Sequence, residues 1–313
     1  METEKLIGKI RENICSVIVG KERVVDLVLT ALMAGGHVLL EDVPGLGKTT
    51  LVSALAKTLD CSFRRIQFTP DVLPSDVAGF TMYHLKTGEK QVQFGAVMSQ
   101  IVLADEINRT SPKTQASLLE VMQEGQVTID GESYPVPQPF LVLATQNPVE
   151  LTGTYPLPEA QLDRFLMKLS MGYPKAEEEL EILTSRQTED PLTKLTPVAS
   201  AGDVLALQAA AREVRCDRAV GEYIVALAEK TRGHDMIALG VSPRGSLALQ
   251  KAARAYALLR GRDYVLPDDI QTLAEPVLSH RLVLSPQASL KRVSPRELVH
   301  ELLRQVPVPK VRP

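Results

Sequence analysis

The sequence predicts an α/β sandwich around a mostly parallel sheet, followed by an all-helical domain. Three observations carry that prediction. Short apolar runs of strand length recur up to residue 169, separated by helical or hairpin segments. One of them enters a Gly/Pro loop that opens a helix, and beyond Tyr173-Pro174 only helical patterns remain. The expected domains are therefore residues 1–173 and 174–313.

In chain order, Leu6, Ile10, Ile14 and Val17 recur at helical spacing, and Val24, Leu27, Val28, Ala31 and Leu32 do so again after Gly20. Two amphipathic helices open the chain. The period then changes: residues 37–40 (HVLL) form a compact apolar run ending in a Gly/Pro loop, and Leu51, Leu55 and Leu59 resume the helical spacing. Further strands are expected at 64–68, 101–104, 140–144 and 165–169. Two segments read as hairpins: 80–85 with 91–94 around Lys86-Thr87-Gly88-Glu89-Lys90, and 126–129 with 133–136 around Asp130-Gly131-Glu132. The second domain reads as helices at 176–187, 203–214, 218–232, 242–260 and 268–279, with a long loop at 189–201 containing Pro191 and Pro197. A last helix begins at Ser294-Pro295-Arg296-Glu297, whose Ser and Glu are spaced as a capping box, and Pro307 and Pro309 stop it.

Composition removes several function classes. With 44% hydrophobic and 23% charged residues over 313, the chain is neither disordered nor fibrous. A net charge of −3 gives no overall footprint for nucleic acid. From Arg281 onward seven Lys/Arg face two Glu, an excess read as a solvated face. Cys15, Cys61 and Cys216 are odd in number and far apart, which fits buried thiols in a reducing compartment. The first residues mix charges among apolar ones, unlike a secretory signal, and no run approaches the ~18 apolar residues of a membrane span, so a cytoplasmic protein is expected.

The chemistry begins at Asp42-Val43-Pro44-Gly45-Leu46-Gly47-Lys48-Thr49, followed by Thr50. This is a Walker A loop between a strand and a helix, except that Asp42 stands where the pattern has its first Gly. Such a loop turns backbone N–H groups around phosphate oxygens at a helix N-terminus; Lys48 would reach the β- and γ-phosphates and the Thr49 hydroxyl would hold Mg2+. Residues 101–106 (IVLADE) end an apolar strand in two carboxylates. Downstream of a phosphate loop, Asp105 suits the metal and Glu106 suits the attacking water. Residues 140–144 run into Thr145-Gln146-Asn147-Pro148, at what would be the same sheet edge, where open α/β sheets bind ligands. Asn147 could bond the γ-phosphate or the water, although an Asn before Pro is also a common turn residue.

Together residues 42–50, IVLADEINR (101–109), LATQNP (143–148), YPLPEAQLDRF (155–165) and GVSPRG (240–245) resemble the MoxR family of AAA+ ATPases, over almost the whole chain. The resemblance implies an αβα P-loop sandwich with a five-stranded parallel core sheet and a smaller α-helical lid. It implies that Asn147 is sensor 1, that Arg164 is an arginine finger entering a neighbouring subunit's site, and that Arg244, opening a lid helix, is a sensor 2 acting in cis. From the residues alone, Arg164 would sooner pair with Asp163 or a nearby acid. Ile18, Val19 and Gly20 resemble the segment that packs against adenine. The two hairpins resemble the helix-2 insert and the pre-sensor-1 insert. The chain departs from the family at Gly95-Ala96-Val97-Met98, where a Gly-Pro-Val-Phe sequence is common.

The function so implied is ATP hydrolysis with Mg2+ in a homo-oligomeric ring, a hexamer, that remodels or matures a client protein or complex. A von Willebrand factor A domain protein is the partner the family points to. The alternatives are a chelatase-type motor subunit for metal insertion, a nucleotide-gated scaffold with little turnover, and a nucleic-acid motor, which the net charge disfavours.

Overall fold

The computed structural model describes residues 2–83, 88–148, 153–185 and 190–310. Two amphipathic helices come first, α1 (Glu2–Cys15) and α2 (Glu22–Met33). β1 (Val38–Glu41) runs into the phosphate-type loop and α3 (Lys48–Thr58) leaves it. Next come β2 (Phe63–Gln67), α4 (Pro74–Ala78) and a hairpin of β3 (Gly79–Tyr83) and β4 (Lys90–Phe94). β5 (Ile101–Asp105) and α5 (Pro112–Glu124) precede a second hairpin, β6 (Gln126–Ile129) and β7 (Glu132–Pro135). β8 (Leu141–Gln146), α6 (Glu159–Leu162) and β9 (Met167–Leu169) complete the α/β part.

Five strands form one parallel sheet in the order β2-β5-β8-β1-β9. These are the five expected strands, and β1, β5 and β8, buried on both faces in the middle of the sheet, read as nearly unbroken apolar runs rather than alternating ones. The pleat still divides them: Val38, Leu40, Ile101, Leu103, Leu141 and Leu143 pack into one core, while Leu39, Val102, Ala104, Val142 and Ala144 pack into the other. The first core holds α1, α2 and α3 and continues into the lid without a break; the second holds α5, Phe68 and Phe165.

The lid comprises α7 (Ala176–Ser185), α8 (Pro191–Lys194), α9 (Ala201–Glu213), α10 (Arg218–Arg232), β10 (Ile237–Leu239), α11 (Pro243–Leu259), α12 (Pro267–Leu278), a 3-10 turn (Ser279–Arg281), β11 (Val283–Leu284), α13 (Pro286–Leu290) and α14 (Pro295–Gln305). Ser200 with Asp203, and Ser294 with Glu297, form the capping boxes that start α9 and α14. Two features depart from expectation. α8 occupies part of the expected loop at 189–201, and β10 pairs antiparallel with β11, adding a short ribbon to an otherwise helical domain. The expected end of the helix at 187 and the turn residues Lys86 and Thr87 lie outside the described residues.

The hairpins touch each other. Lys90 Nζ lies 3.4 Å from Glu132, and the Phe94 and Tyr134 rings meet edge-on at 5.3 Å. Phe80, Met82, Tyr83 and Phe94 are exposed on the first hairpin. The three thiols are free and half-buried, and burial raises the pKa of each, to about 11 for Cys61. Among the described residues no helix is long and apolar enough to cross a membrane.

Candidate functional site

The carboxyl ends of β1, β5 and β8 meet at one edge of the sheet and line a cleft of about 370 Å³. Pro44, Gly45, Gly47, Lys48, Thr49, Thr50, Asp105, Glu106 and Asn147 all line it, so the residues from three separated motifs are brought together. Gly45 and Gly47 have φ of 87° and 85°, a left-handed backbone that a side chain would strain, and this is what turns the loop inward ahead of α3.

Asp42 explains its own departure from the motif. It is buried, and its carboxylate accepts hydrogen bonds from Ser170 Oγ at 2.6 Å, Met171 N at 2.6 Å and Gly172 N at 3.2 Å. Its carbonyl accepts from Lys48 Nζ at 2.8 Å. A side chain at this position therefore pins the start of the loop to the residues after β9. Glu106 has φ of 57°, a costly conformation for a residue with a Cβ, held by its N–H donating to Thr145 Oγ1 at 2.8 Å.

Several partners in this cleft escaped the sequence reading. Thr145 Oγ1 donates to Asp105 Oδ1 at 2.6 Å, so one buried hydroxyl orders both carboxylate residues. Arg65 donates to Asp105 Oδ2 from Nη2 at 2.6 Å and Nε at 3.2 Å. Glu106 Oε2 accepts from Gln67 Nε2 at 2.8 Å and Arg109 Nη1 at 3.0 Å. Arg65 and Gln67 alternate along β2, and its register, Gln67 opposite Asp105, carries them to the cleft. That alternation of polar residues was the available signal, and it is equally the pattern of an exposed strand.

The donor set fits a nucleotide and a hard divalent ion. No group of three or more His, Cys, Asp or Glu among the described residues forms a metal cage. The ion suited to Thr49 and Asp105 is one held by few protein oxygens together with phosphate oxygens, as Mg2+ is. Beside the loop a mostly apolar pocket is lined by Val17, Ile18, Val19, Leu46, Met171 and Ile182, with Lys21 as its one charged member, of a size and character that suit a base. Gly20, expected with Ile18 and Val19, is not among the lining residues; the Glu178 carboxylate packs so closely on it that a Cβ there would clash with Glu178 Cδ.

Arg164 and Arg244 are elsewhere. They line a second cleft with Gly36, His37, Asp163, Leu166, Lys251 and Arg281. Gly36 and His37 precede β1 and Leu166 precedes β9, so this cleft lies at the amino edge of the same parallel sheet, separated from the phosphate loop by the length of β1, about 13 Å. Arg244, expected to act in cis, lies with Arg164 at the opposite edge of the sheet from Lys48, where α11 begins. Arg164 does not pair with Asp163; its Nη1 donates to the Leu119 carbonyl at 2.6 Å, while Asp163 pairs with Arg281. Arg281, counted with a solvated face, is buried. His37 is buried beside this cleft, its Nδ1 accepting from Val142 N at 3.1 Å and its Nε2 meeting the Met122 carbonyl at 3.0 Å; burial lowers its pKa to about 4 despite that carbonyl.

A parallel sheet in this strand order, a phosphate-type loop after β1 and a helical lid define the AAA+ class. Residues 37–167 match the ATPase family associated with various cellular activities (AAA), and residues 229–302 match the AAA lid domain. The chain is 56% identical over 304 residues to YeaC of Bacillus subtilis, a protein of uncharacterised activity, covering 97% of this chain and 95% of that one. It is 44% identical over 304 residues to the chaperone MoxR1 of Mycobacterium tuberculosis, covering 94% and 80%. The crystal structure of a candidate ATPase from Cytophaga hutchinsonii matches with a TM-score of 0.91 at 41% identity, covering 99% of this chain and 96% of that one. The chain belongs to the MoxR family of AAA+ ATPases.

Proposed function

We propose that the chain hydrolyses ATP with Mg2+ in a ring of identical subunits, a hexamer, and uses the cycle to remodel or mature a partner protein or complex, a von Willebrand factor A domain protein being the partner the family points to. One observation carries this reading: Lys48, Thr49, Asp105 and Glu106 line the carboxyl edge of the sheet while Arg164 and Arg244 line the amino edge. A single chain holds two halves of a hydrolytic site that cannot meet each other, and a head-to-tail ring joins them between neighbours.

In this mechanism the loop N–H groups and Lys48 hold the phosphates, the Lys48 ammonium leaving the Asp42 carbonyl to do so. Thr49 Oγ1 and Asp105 would hold Mg2+, which would supply positive charge to the transferring phosphate. Glu106 leaves Gln67 and Arg109 to orient water and take its proton, with Asn147 bonding the γ-phosphate or the water. Arg164 of the neighbour, with Arg244, stabilises the charge developing on the γ-phosphoryl. The exposed apolar side chains of the first hairpin favour a protein as the client over a nucleic acid.

The test is the ATPase rate per subunit against protein concentration. Wild type should rise with concentration to a plateau and Glu106→Gln should stay at background throughout. A wild-type rate per subunit that is the same at every concentration would sink the shared site.

A further inference from the structure

Arg281 joins the two arginines of the amino edge. It ends the 3-10 turn after α12, in the lid, yet its side chain is only 3% exposed. Nε donates to Asp163 Oδ1 at 2.7 Å, Nη2 to the carbonyls of Asp163 at 3.2 Å and Phe165 at 2.7 Å, and Nη1 to the carbonyls of Leu166 at 3.3 Å and Val277. One guanidinium thus ties together the residues on both sides of Arg164 and anchors them to the lid. On its other side the first turn of α11 rests on its stem: a Cβ at Gly245 would lie 3.0 Å from Arg281 Cδ and 2.7 Å from Val241 Cγ1, so the residue after Arg244 fits there as glycine.

This is a costly way to fill space. Burial pushes the Arg281 pKa down against the pull of Asp163, and Arg244 pushes it down further. Replacing the whole buried Arg281–Asp163 pair by apolar side chains would avoid that desolvation, and such exchanges are often neutral or stabilising. What an apolar side chain could not do is bond three carbonyls and a carboxylate around one turn.

We propose that Arg281 is a positioning residue for Arg164 and Arg244: it fixes their spacing from the lid, so that the pair meets a neighbouring copy's nucleotide as one rigid unit. The inference rests on the shared-site reading above. It separates from a purely structural role because the damage lies in what a subunit gives its neighbour and not in what it does with its own nucleotide.

The experiment uses Arg281→Met, with Asp163→Asn and Gly245→Ala as milder variants should the first not fold. Binding of a fluorescent ATP analogue should stay within about twofold of wild type while the rate at saturating ATP falls on the order of 10- to 100-fold, the scale of an ångström-sized misplacement. Mixed with Glu106→Gln subunits, which keep an intact arginine edge but lack the base, the variant should recover a rate above the sum of the two alone. Arg281→Lys, which keeps the charge near Asp163 with fewer bonds, should fall between Met and wild type. The proposal is overturned if the mixture shows no recovery while Arg164→Ala mixed with Glu106→Gln does recover, or if analogue binding falls in step with the rate. If Arg164→Ala and Glu106→Gln also fail to recover together, the shared site itself is wrong, and this proposal with it.

Discussion

The two edges of the one sheet are built differently. At the carboxyl edge the functional side chains come from contiguous motifs, each hung on the end of a buried strand: the loop after β1, Asp105 and Glu106 after β5, Asn147 after β8. At the amino edge they come from residues scattered over the chain and from both domains, Arg164 between α6 and β9, Arg244 and Lys251 on α11, Arg281 after α12. A cleft made by strand ends is set by the sheet register and is rigid on its own. A cleft made by lid helices against a turn depends on how the lid sits, so in the proposed ring it is the edge through which a change at one subunit would be passed to the next.

The largest effects should separate the edges by kind. Lys48→Ala should lose tight nucleotide binding, measured by titration, whereas Glu106→Gln and Arg164→Ala should both bind and lose roughly 10³-fold or more in hydrolysis. Retention of tight binding in Lys48→Ala would break the assignment of the carboxyl edge. A smaller effect is expected at Thr145, whose hydroxyl serves Asp105 and the Glu106 N–H at once. Thr145→Val keeps the shape and should cost about 10-fold in Mg2+ affinity or rate, the usual scale for a residue that orients a metal ligand; an unchanged Mg2+ titration would contradict it.

Asp42→Ala leaves Ser170 Oγ and the N–H groups of Met171 and Gly172 without their acceptor, so it should lower stability by roughly 3 kcal/mol in urea titration. A Gly-like indifference at this position would mean that the loop holds itself. At the amino edge, His37 is neutral in the fold because burial lowers its pKa to about 4. The unfolded chain, with an ordinary histidine near 6.5, takes the proton first as pH falls. The contribution is therefore whole above pH 6.5 and is lost between 6.5 and 4, about 3 kcal/mol. His280, lowered by burial and then by Arg281, acts in the same direction. His37→Gln should lose less stability than wild type between pH 7 and pH 4.5; an equal loss would refute the role of His37.

The difference between the edges is also the limit of what the sequence made legible. A buried parallel strand ending in a glycine loop or in adjacent carboxylates writes both its fold and its candidate chemistry into a few neighbouring residues, so β1, β5, β8 and most of the lining of the carboxyl-edge cleft could be read directly. Arg65 and Gln67 could not, because a polar residue in a strand signals nothing until the register carries it to Asp105 and Glu106, and Thr145, placed at this edge by its motif, gave no sign that its one hydroxyl serves both. β10 and β11 have three and two residues, too few for any period to show. Arg281 was hidden by its neighbourhood: Arg292 and Arg296 in the same basic stretch are exposed, and only the packing of the lid against residues 163–166 buries the first of the series.

The claim most in need of a direct test is that one site is shared between two copies. Arg164→Ala and Glu106→Gln subunits, each inactive alone, should regain ATPase activity on mixing, because an Arg164→Ala phosphate cleft can then face an intact arginine edge. A mixture no more active than its two components, with both variants still binding ATP and assembling, would contradict the account.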